Sequence, residues 1–396
     1  MKFIKCLAVA TALTSAGLAA AQAQEGPIRI GFITTLTTPA SALGRDQVDA
    51  INLALEHIGG EIAGRPVEII FEDDGVRPDL GRQKAEKLIQ QDNVDVVAGF
   101  IWTNVLQAAQ RPVFAADRLL ISTNAGPSDL AGARCHANFF STRAQNDMVP
   151  RALGVALNRQ GVERLYIMAP NYAAGQEMVN GLTATFEGET VVTDFTRWGA
   201  DPQLDFSAEL DKVRASGADS LFVFYPASAA GAFARQFAQS GLAEEVRLYS
   251  VYTIDQISLP VFQNAGINAV LGTQLADYWS PDLDNEANAR FVADFQERYG
   301  RLPSNYAAAA YDLLPYLKAA VEQSGGDISD IAAVRAALRE ANYDSVRGSY
   351  EVGNNGYPID RFYSLVTVEG DIWTTQIQEL VLEGEADPYA ADCPLE

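Results

Sequence analysis

Ile28-Arg29-Ile30-Gly31-Phe32-Ile33-Thr34 is an apolar β-type run that ends in a threonine-rich turn, Thr35-Leu36-Thr37-Thr38. A helical pattern over residues 46–58 follows, closed by Gly59-Gly60 and by the turn Ala63-Gly64-Arg65-Pro66, and a second apolar run occupies residues 67–72. Strand, helix and strand at this spacing predict a right-handed crossover between parallel strands. The runs are continuous rather than alternating, as expected of strands covered on both faces. The same grammar continues outward. Further strands are predicted at 94–99 and 119–122, then in a second block at 165–169, 190–195, 220–225 and 247–252. Helices are predicted between them at 80–91, 105–116, 147–160, 176–186, 206–216 and 229–240, with Gly161, Gly217 and Gly241 just past three of these helices, where a left-handed residue is needed. Two blocks of about four strand–helix units each predict an α/β protein of two doubly wound, Rossmann-like lobes. Past Ala276 the chain reads as helices at 285–299, 305–324 and 328–341, then a final strand pair at 350–352 and 363–368.

The first residues predict the compartment. Lys2 and Lys5 precede an alanine-rich apolar stretch over residues 7–21, and Ala21-Gln22-Ala23 offers small residues around a cut. This is the layout of a cleavable export signal, too short for a membrane span, so the mature chain is expected to begin near Gln24 and to be periplasmic. No later run reaches the length of a spanning helix. The 396 residues carry 51 Asp+Glu against 29 Lys+Arg, a formal charge of −22. That surface repels phosphate backbones and anionic lipid, so neither nucleic acid nor a membrane surface is an expected partner. Beyond the signal only Cys135 and Cys393 remain, outside any metal-site spacing, and in an oxidising compartment they are expected to form a disulfide.

Reaction chemistry finds little support. His57 and His136 are the only histidines, and no phosphate-binding glycine loop, zinc-protease helix or nucleophile elbow is present. Asp282, Asp284 and Glu286 begin like a calcium loop, but Ala287 and Ala293 stand where the turn glycine and the bidentate glutamate belong. Glu72-Asp73-Asp74 reads as an acidic turn rather than a catalytic carboxylate pair. No enzyme activity, cofactor or metal is expected. The informative residues lie at the strand tips, where open α/β sheets bind ligands. Trp102, Thr103 and Asn104 follow one strand, and Thr123, Asn124 and Ala125 the next. Tyr172, Tyr225, Tyr252 and Asp255 follow strands of the second block. Hydroxyls, amides and aromatic rings with few charges predict a binding cleft.

Several motifs follow one another along the chain: Ile30-Gly31, Gly59-Gly60-Glu61-Ile62-Ala63-Gly64, Phe71-Glu72-Asp73-Asp74, Ala169-Pro170-Asn171-Tyr172-Ala173-Ala174-Gly175 and Asp282-Leu283-Asp284-Asn285. Tyr311-Asp312, Ser345-Val346-Arg347-Gly348 and Asn355-Gly356-Tyr357-Pro358-Ile359 complete the set. In this order they resemble the leucine/isoleucine/valine-binding branch of the periplasmic type I solute-binding proteins of ABC importers. The resemblance implies two lobes joined by three hinge crossings near Thr142, Ala276 and Gly348, closing on a small ligand. One lobe would hold residues 24–142 and 276–348, the other 143–275 and 349–396. It also implies ABC permease subunits as partners of a monomer. In that family the segments matching Trp102-Thr103-Asn104 and Thr123-Asn124-Ala125-Gly126 hold a ligand carboxylate. Tyr252 stands where amino-acid binders carry a glutamate for the ligand ammonium, and Asp255 is the nearest acid. The expected ligand is therefore a small carboxylate with an aromatic or bulky apolar body, flanked by Trp102, Tyr172 and Tyr225. The alternative is a branched-chain or other hydrophobic amino acid held through Asp255. A hydrolase built on Ser122 or Ser228 would need His57 or His136 nearby. A receptor sensing domain shares the fold, but no membrane segment follows the lobes, so a free binding protein is expected.

Overall fold

The computed structural model of the protein describes residues 26–199 and 202–395. The expected export signal and its cut near Ala23 lie outside the described residues. The first lobe is built from β1 (Ile28–Thr34), α1 (Ser41–His57), β2 (Glu61–Ile62), β3 (Arg65–Asp73), α2 (Pro78–Gln90), β4 (Val96–Gly99), α3 (Thr103–Ala115), β5 (Leu119–Ser122), a single turn α4 (Ser128–Ala131) and β6 (Phe139–Ser141). Its strands lie in the order β2-β3-β1-β4-β5-β6. β1 pairs in parallel with β3 on one side and β4 on the other, so the strand order reverses at β1 and opens a crevice at the strand carboxyl ends. Every residue of β4 and β5 is buried, which is why their sequences are continuous apolar runs.

The second lobe follows with α5 (Met148–Arg159), β7 (Arg164–Pro170), α6 (Ala173–Thr183), β8 (Glu189–Thr196), α7 (Ser207–Ser216), β9 (Ser220–Val223), α8 (Ser228–Ser240), β10 (Arg247–Ser250), α9 (Leu259–Asn264) and β11 (Gln274–Asp277). The chain then returns to the first lobe. There α10 (Glu286–Tyr299), α11 (Asn305–Gln323) and α12 (Ile331–Arg339) form a helical layer in which α11 lies along α1, and the short hairpin of β12 (Glu351–Val352) and β13 (Pro358–Ile359) follows. β14 (Arg361–Val368) and β15 (Thr374–Glu383) complete the second sheet, ordered β15-β14-β11-β10-β9-β7-β8, whose reversal point is β7.

The strand pair expected at 350–352 and 363–368 does not form. β12 pairs with β13, while β14 pairs antiparallel with β11 and β15. Apolar β14 is buried inside the sheet, whereas β15, with its row of glutamines and glutamates, is an edge strand whose polar face read as surface. Thr142, just past β6, donates its hydroxyl to the Ala309 carbonyl (2.6 Å), and Tyr278, just past β11, donates its hydroxyl to the Asn305 carbonyl (2.9 Å). Ser141 N–H donates to the Gly356 carbonyl (3.0 Å) and Tyr357 packs on Phe139, so the chain enters the second sheet only at Arg361. Cys135 and Cys393 are bonded, which ties the tail beyond β15 to the segment between α4 and β6.

Candidate functional site

The carboxyl ends of both sheets face one cleft, and the backbone around it is unusual. Thr38, Phe100, Ala227 and Tyr252 all follow strands of this rim with φ between +55° and +70°. Such conformations cost of order 1–3 kcal/mol each in a non-glycine residue and persist only where the surroundings impose them. Two glycines let helices crowd the strand tips. A Cβ on Gly44 would sit 1.9 Å from the Thr35 carbonyl oxygen, and one on Gly175 would sit 1.8 Å from that of Pro170.

On the first-lobe side Trp102 precedes α3 and is pinned by its indole N–H, which donates to Thr35 Oγ1 (2.8 Å); that hydroxyl in turn donates to Asp74 Oδ1 (2.6 Å). The acidic turn is structural: Asp73 accepts from Leu36 N–H, Thr37 Oγ1 and Gly75 N–H, and Glu72 pairs with Lys84 and Lys87. After β5, Asn124 spends its Nδ2 on the Ile101 carbonyl (2.7 Å). Its Oδ1 and carbonyl both accept from Nη1 of Arg143, at 2.6 and 2.7 Å. Arg143 was not among the residues expected from the sequence. It follows β6 at the first hinge crossing, is 3% exposed, and lays its guanidinium 4.2 Å from the Tyr252 ring centre. Its Nε has no partner, and no carboxylate forms an ion pair with it among the described residues.

Thr103 sits beside this cation, and the direction of its hydrogen bond can be assigned. Its Oγ1 accepts from Asn146 Nδ2 (3.0 Å), an amide nitrogen that can only donate, so the Thr103 proton is left to donate elsewhere. The same Asn146 nitrogen donates to Glu177 Oε2 (2.6 Å) on α6 of the second lobe. Glu177 Oε1 also accepts from the N–H and hydroxyl of Ser128 in the first lobe, at 2.7 and 2.6 Å. Burial pushes the Glu177 carboxyl up to about 7 against the pull of these donors.

The second lobe contributes an aromatic arc. Trp102 faces Trp198 (5.6 Å between ring centres), Trp198 stacks on Tyr172 (5.0 Å), and Phe224 lies 6.3 Å from both Tyr172 and Tyr252. Trp198, from the loop after β8, thus bridges the lobes; it too was absent from the expected set. Burial works against the Arg143 charge, but the rings of Tyr252, Tyr278 and Tyr306 around it hold its pKa above the ordinary arginine value. Burial pushes Asp277 up to about 7 despite the attraction of Arg143. The Tyr252 hydroxyl is buried beside the guanidinium with no well-aligned hydrogen bond.

Of the expected residues, Trp102, Thr103, Asn124, Tyr172 and Tyr252 come together around an inner cavity of about 20 Å³ that Arg143, Asn146 and Tyr306 also line. Thr123 and Ala125 lie behind it: Thr123 accepts from Gln47 Nε2 (3.0 Å), and Ala125 N–H donates to the Phe100 carbonyl (2.9 Å). Asn104 buries its Oδ1 without a partner. Tyr225 turns into the second lobe's core between Phe206 and Phe233. Asp255 accepts from the N–H groups of Ile257 (3.0 Å) and Ser258 (2.8 Å), and it lines a larger cleft of about 340 Å³ further out. The histidines lie elsewhere. His57 bonds to Tyr311 and faces Asp294, His136 stacks on Phe114, and Ser122 donates to the Ala125 carbonyl. No cluster of metal-ligating side chains occurs among the described residues.

Comparison with known proteins agrees with this architecture. The model of the family described as "Periplasmic binding protein" matches residues 27–371. A solute-binding protein of an ABC transporter from R. palustris, solved in complex with benzoate, superposes with a TM-score of 0.86 at 26% identity, covering 93% of this chain and 100% of its own. Another from Rhodopseudomonas palustris BisB5, in complex with 3,4-dihydroxy benzoic acid, gives 0.82 at 25% identity, covering 91% and 99%. Leu/Ile/Val-binding protein homolog 6 of Brucella abortus (strain 2308) is 23% identical over 389 residues, 95% of this chain and 97% of its own. A family match over residues 27–371, on two lobes facing one cleft, means that the chain belongs to the periplasmic binding protein family.

Proposed function

We propose that the protein is the extracytoplasmic solute-binding component of an ABC importer and captures a small carboxylate with an aromatic or bulky apolar body. The observation that carries this reading is Arg143, a buried cation with an unpaired Nε, which lines one cavity together with Thr103 and the rings of Trp102, Tyr172, Phe224 and Tyr252. A lone buried charge is costly unless an opposite charge meets it, and a ligand carboxylate supplies that charge. Asn124, with both of its side-chain polar atoms engaged, positions the guanidinium instead of binding the ligand itself. The aromatic arc offers flat faces to a ring, and the R. palustris relative solved with benzoate fits the same chemistry. The function is capture and delivery without turnover: both histidines are remote from the cleft hydroxyls.

In this reading the chain is exported by a signal cut near Ala23 and works as a monomer. The two hinged bodies are the lobes divided at Thr142, Tyr278 and Asp360, and they close over the ligand before docking on permease subunits. A branched-chain amino acid is the second reading, favoured by the Brucella relative. It needs an acid for the ammonium; Asp255 is committed to the N–H groups of Ile257 and Ser258, and burial raises the pKa of Asp277. Melting curves with benzoate, hydroxybenzoates and cinnamate beside leucine, isoleucine and valine test the choice. A ligand at ~100 times its Kd adds about 2.7 kcal/mol of stability. Stabilisation by the aromatic acids is expected; stabilisation by the amino acids alone would sink the proposal.

A further inference from the structure

We infer that the cleft contains a second, apolar subsite beyond Tyr252, and that it takes the apolar extension of an acid longer than a single-ring benzoate. The inference rests on the carboxylate reading above and adds the shape of the ligand to it. The inner cavity beside Arg143, about 20 Å³, has room for about one water molecule, so even a benzoate ring enters only when the lobes or the Trp198–Tyr172 stack part. Immediately outside it lies a cleft of about 340 Å³, within the size range of small-molecule sites. Ala40 and Leu43 of the first lobe and Ala230, Ile257, Val261 and Phe262 of the second supply its apolar wall. Two charged residues also line it: Asp255, which accepts from the backbone N–H groups of Ile257 and Ser258, and Arg235.

Tyr252 is the partition, since it lines both spaces. Its hydroxyl lacks a well-aligned partner, and its ring is held by the Arg143 guanidinium, 4.2 Å from the ring centre, and by Phe224, so a carboxylate taken up by Arg143 bears directly on what holds the partition. A chain leaving a carboxylate on Arg143 passes this ring into the outer cleft. Val261 is 57% exposed on the outer wall, and a ligand seated there would cover it. Burying each added methylene is worth about 0.8 kcal/mol, which is about a fourfold gain in affinity.

The test is calorimetric titration of the purified protein with benzoate, phenylacetate, 3-phenylpropanoate and 4-phenylbutyrate, repeated with Val261→Glu. Affinity is expected to rise about fourfold per methylene along the series. Val261→Glu, at an exposed position that does not threaten the core, is expected to abolish that rise. Benzoate binding with no gain along the series, or a gain that survives Val261→Glu, would overturn the outer subsite while leaving the carboxylate site standing. Failure of every acid to bind would overturn both.

Discussion

Arg143 is a charge placed where burial is expensive, and its surroundings only partly compensate it. Asn124 gives it two acceptors and Tyr252 a ring face, yet no carboxylate forms an ion pair with it among the described residues. Losing one member of a buried, hydrogen-bonded charge pair commonly costs 2–5 kcal/mol of binding. Arg143→Gln is therefore expected to weaken aromatic-acid binding by about 3 kcal/mol, more than a hundredfold, in a calorimetric titration. Its melting temperature without ligand should change little, since no carboxylate forms an ion pair with Arg143 among the described residues and Asp277 feels it only at longer range. Arg143→Lys should recover part of the affinity, and equal affinity in all three proteins would remove Arg143 from the site. Glu177 sets a second expectation. Its carboxyl is raised from 4.5 to about 7, so the stability tied to its protonated form is complete below about pH 4.5 and is lost as pH rises through about 7. Asp277, raised from 3.8 to about 7, and Asp46, raised from 3.8 to about 6, act with the same sign. The melting temperature should fall between about pH 4.5 and 7, and Glu177→Gln should flatten part of that fall. A profile identical in the variant would mean that Glu177 stays ionised throughout.

At the level of elements, the parallel strands were legible because burial on both faces leaves continuous apolar runs such as Ile28–Thr34 and Leu119–Ser122. The tips around Trp102, Thr103, Asn124, Tyr172 and Tyr252 were legible because ligand sites of open α/β sheets lie there. Edge strand β15 was not legible, since one polar face hides the alternation, and the short β6 was hidden by its length. Arg143, Trp198 and Glu177 were missed for another reason: their roles depend on contacts across the hinge or between lobes, which have no local period. The sequence signal for Arg143 was a lone cation in the polar run Ser141-Thr142-Arg143-Ala144-Gln145-Asn146 directly after a strand. The disulfide belongs to this scale as well. It closes a span of 258 residues between the segment preceding β6 and the tail, a loop for which chain entropy gives about 5.5 kcal/mol and practice usually less. Cys393→Ser should lower the melting temperature by several degrees and make the tail after β15 the first segment lost to limited proteolysis. An unchanged melting temperature and an intact tail would mean that Asn354 and Asn355, which bond to tail residues, suffice to hold it.

Across the whole molecule, the ligand site and the closure of the lobes share the same groups. Asn146 joins Thr103 in the cleft to Glu177, which grips Ser128 on the opposite lobe. Trp198 reaches across to Trp102, and Tyr278 lies between Arg143 at the first crossing and Arg347, whose ion pairs with Asp312 and Asp360 fasten the third. In the proposed function a carboxylate arriving on Arg143 would therefore act on the contacts that bridge the lobes. That is the arrangement a two-lobed binding protein needs if occupancy is to be converted into a shape a permease can read. The acidic surface, at a formal −22, keeps such a protein soluble and leaves recognition to the cleft. The most direct test is a pair of crystal structures, one grown with benzoate and one without. The account predicts the benzoate carboxylate at hydrogen-bond distance, ~2.7–3.2 Å, from Arg143 and Thr103 Oγ1, the ring against Tyr172 within the aromatic arc, and the lobes closer together than in the ligand-free crystal. Benzoate bound outside the cleft, or an amino acid seated there with its ammonium on Asp255 or Asp277 and Arg143 turned away, would contradict it.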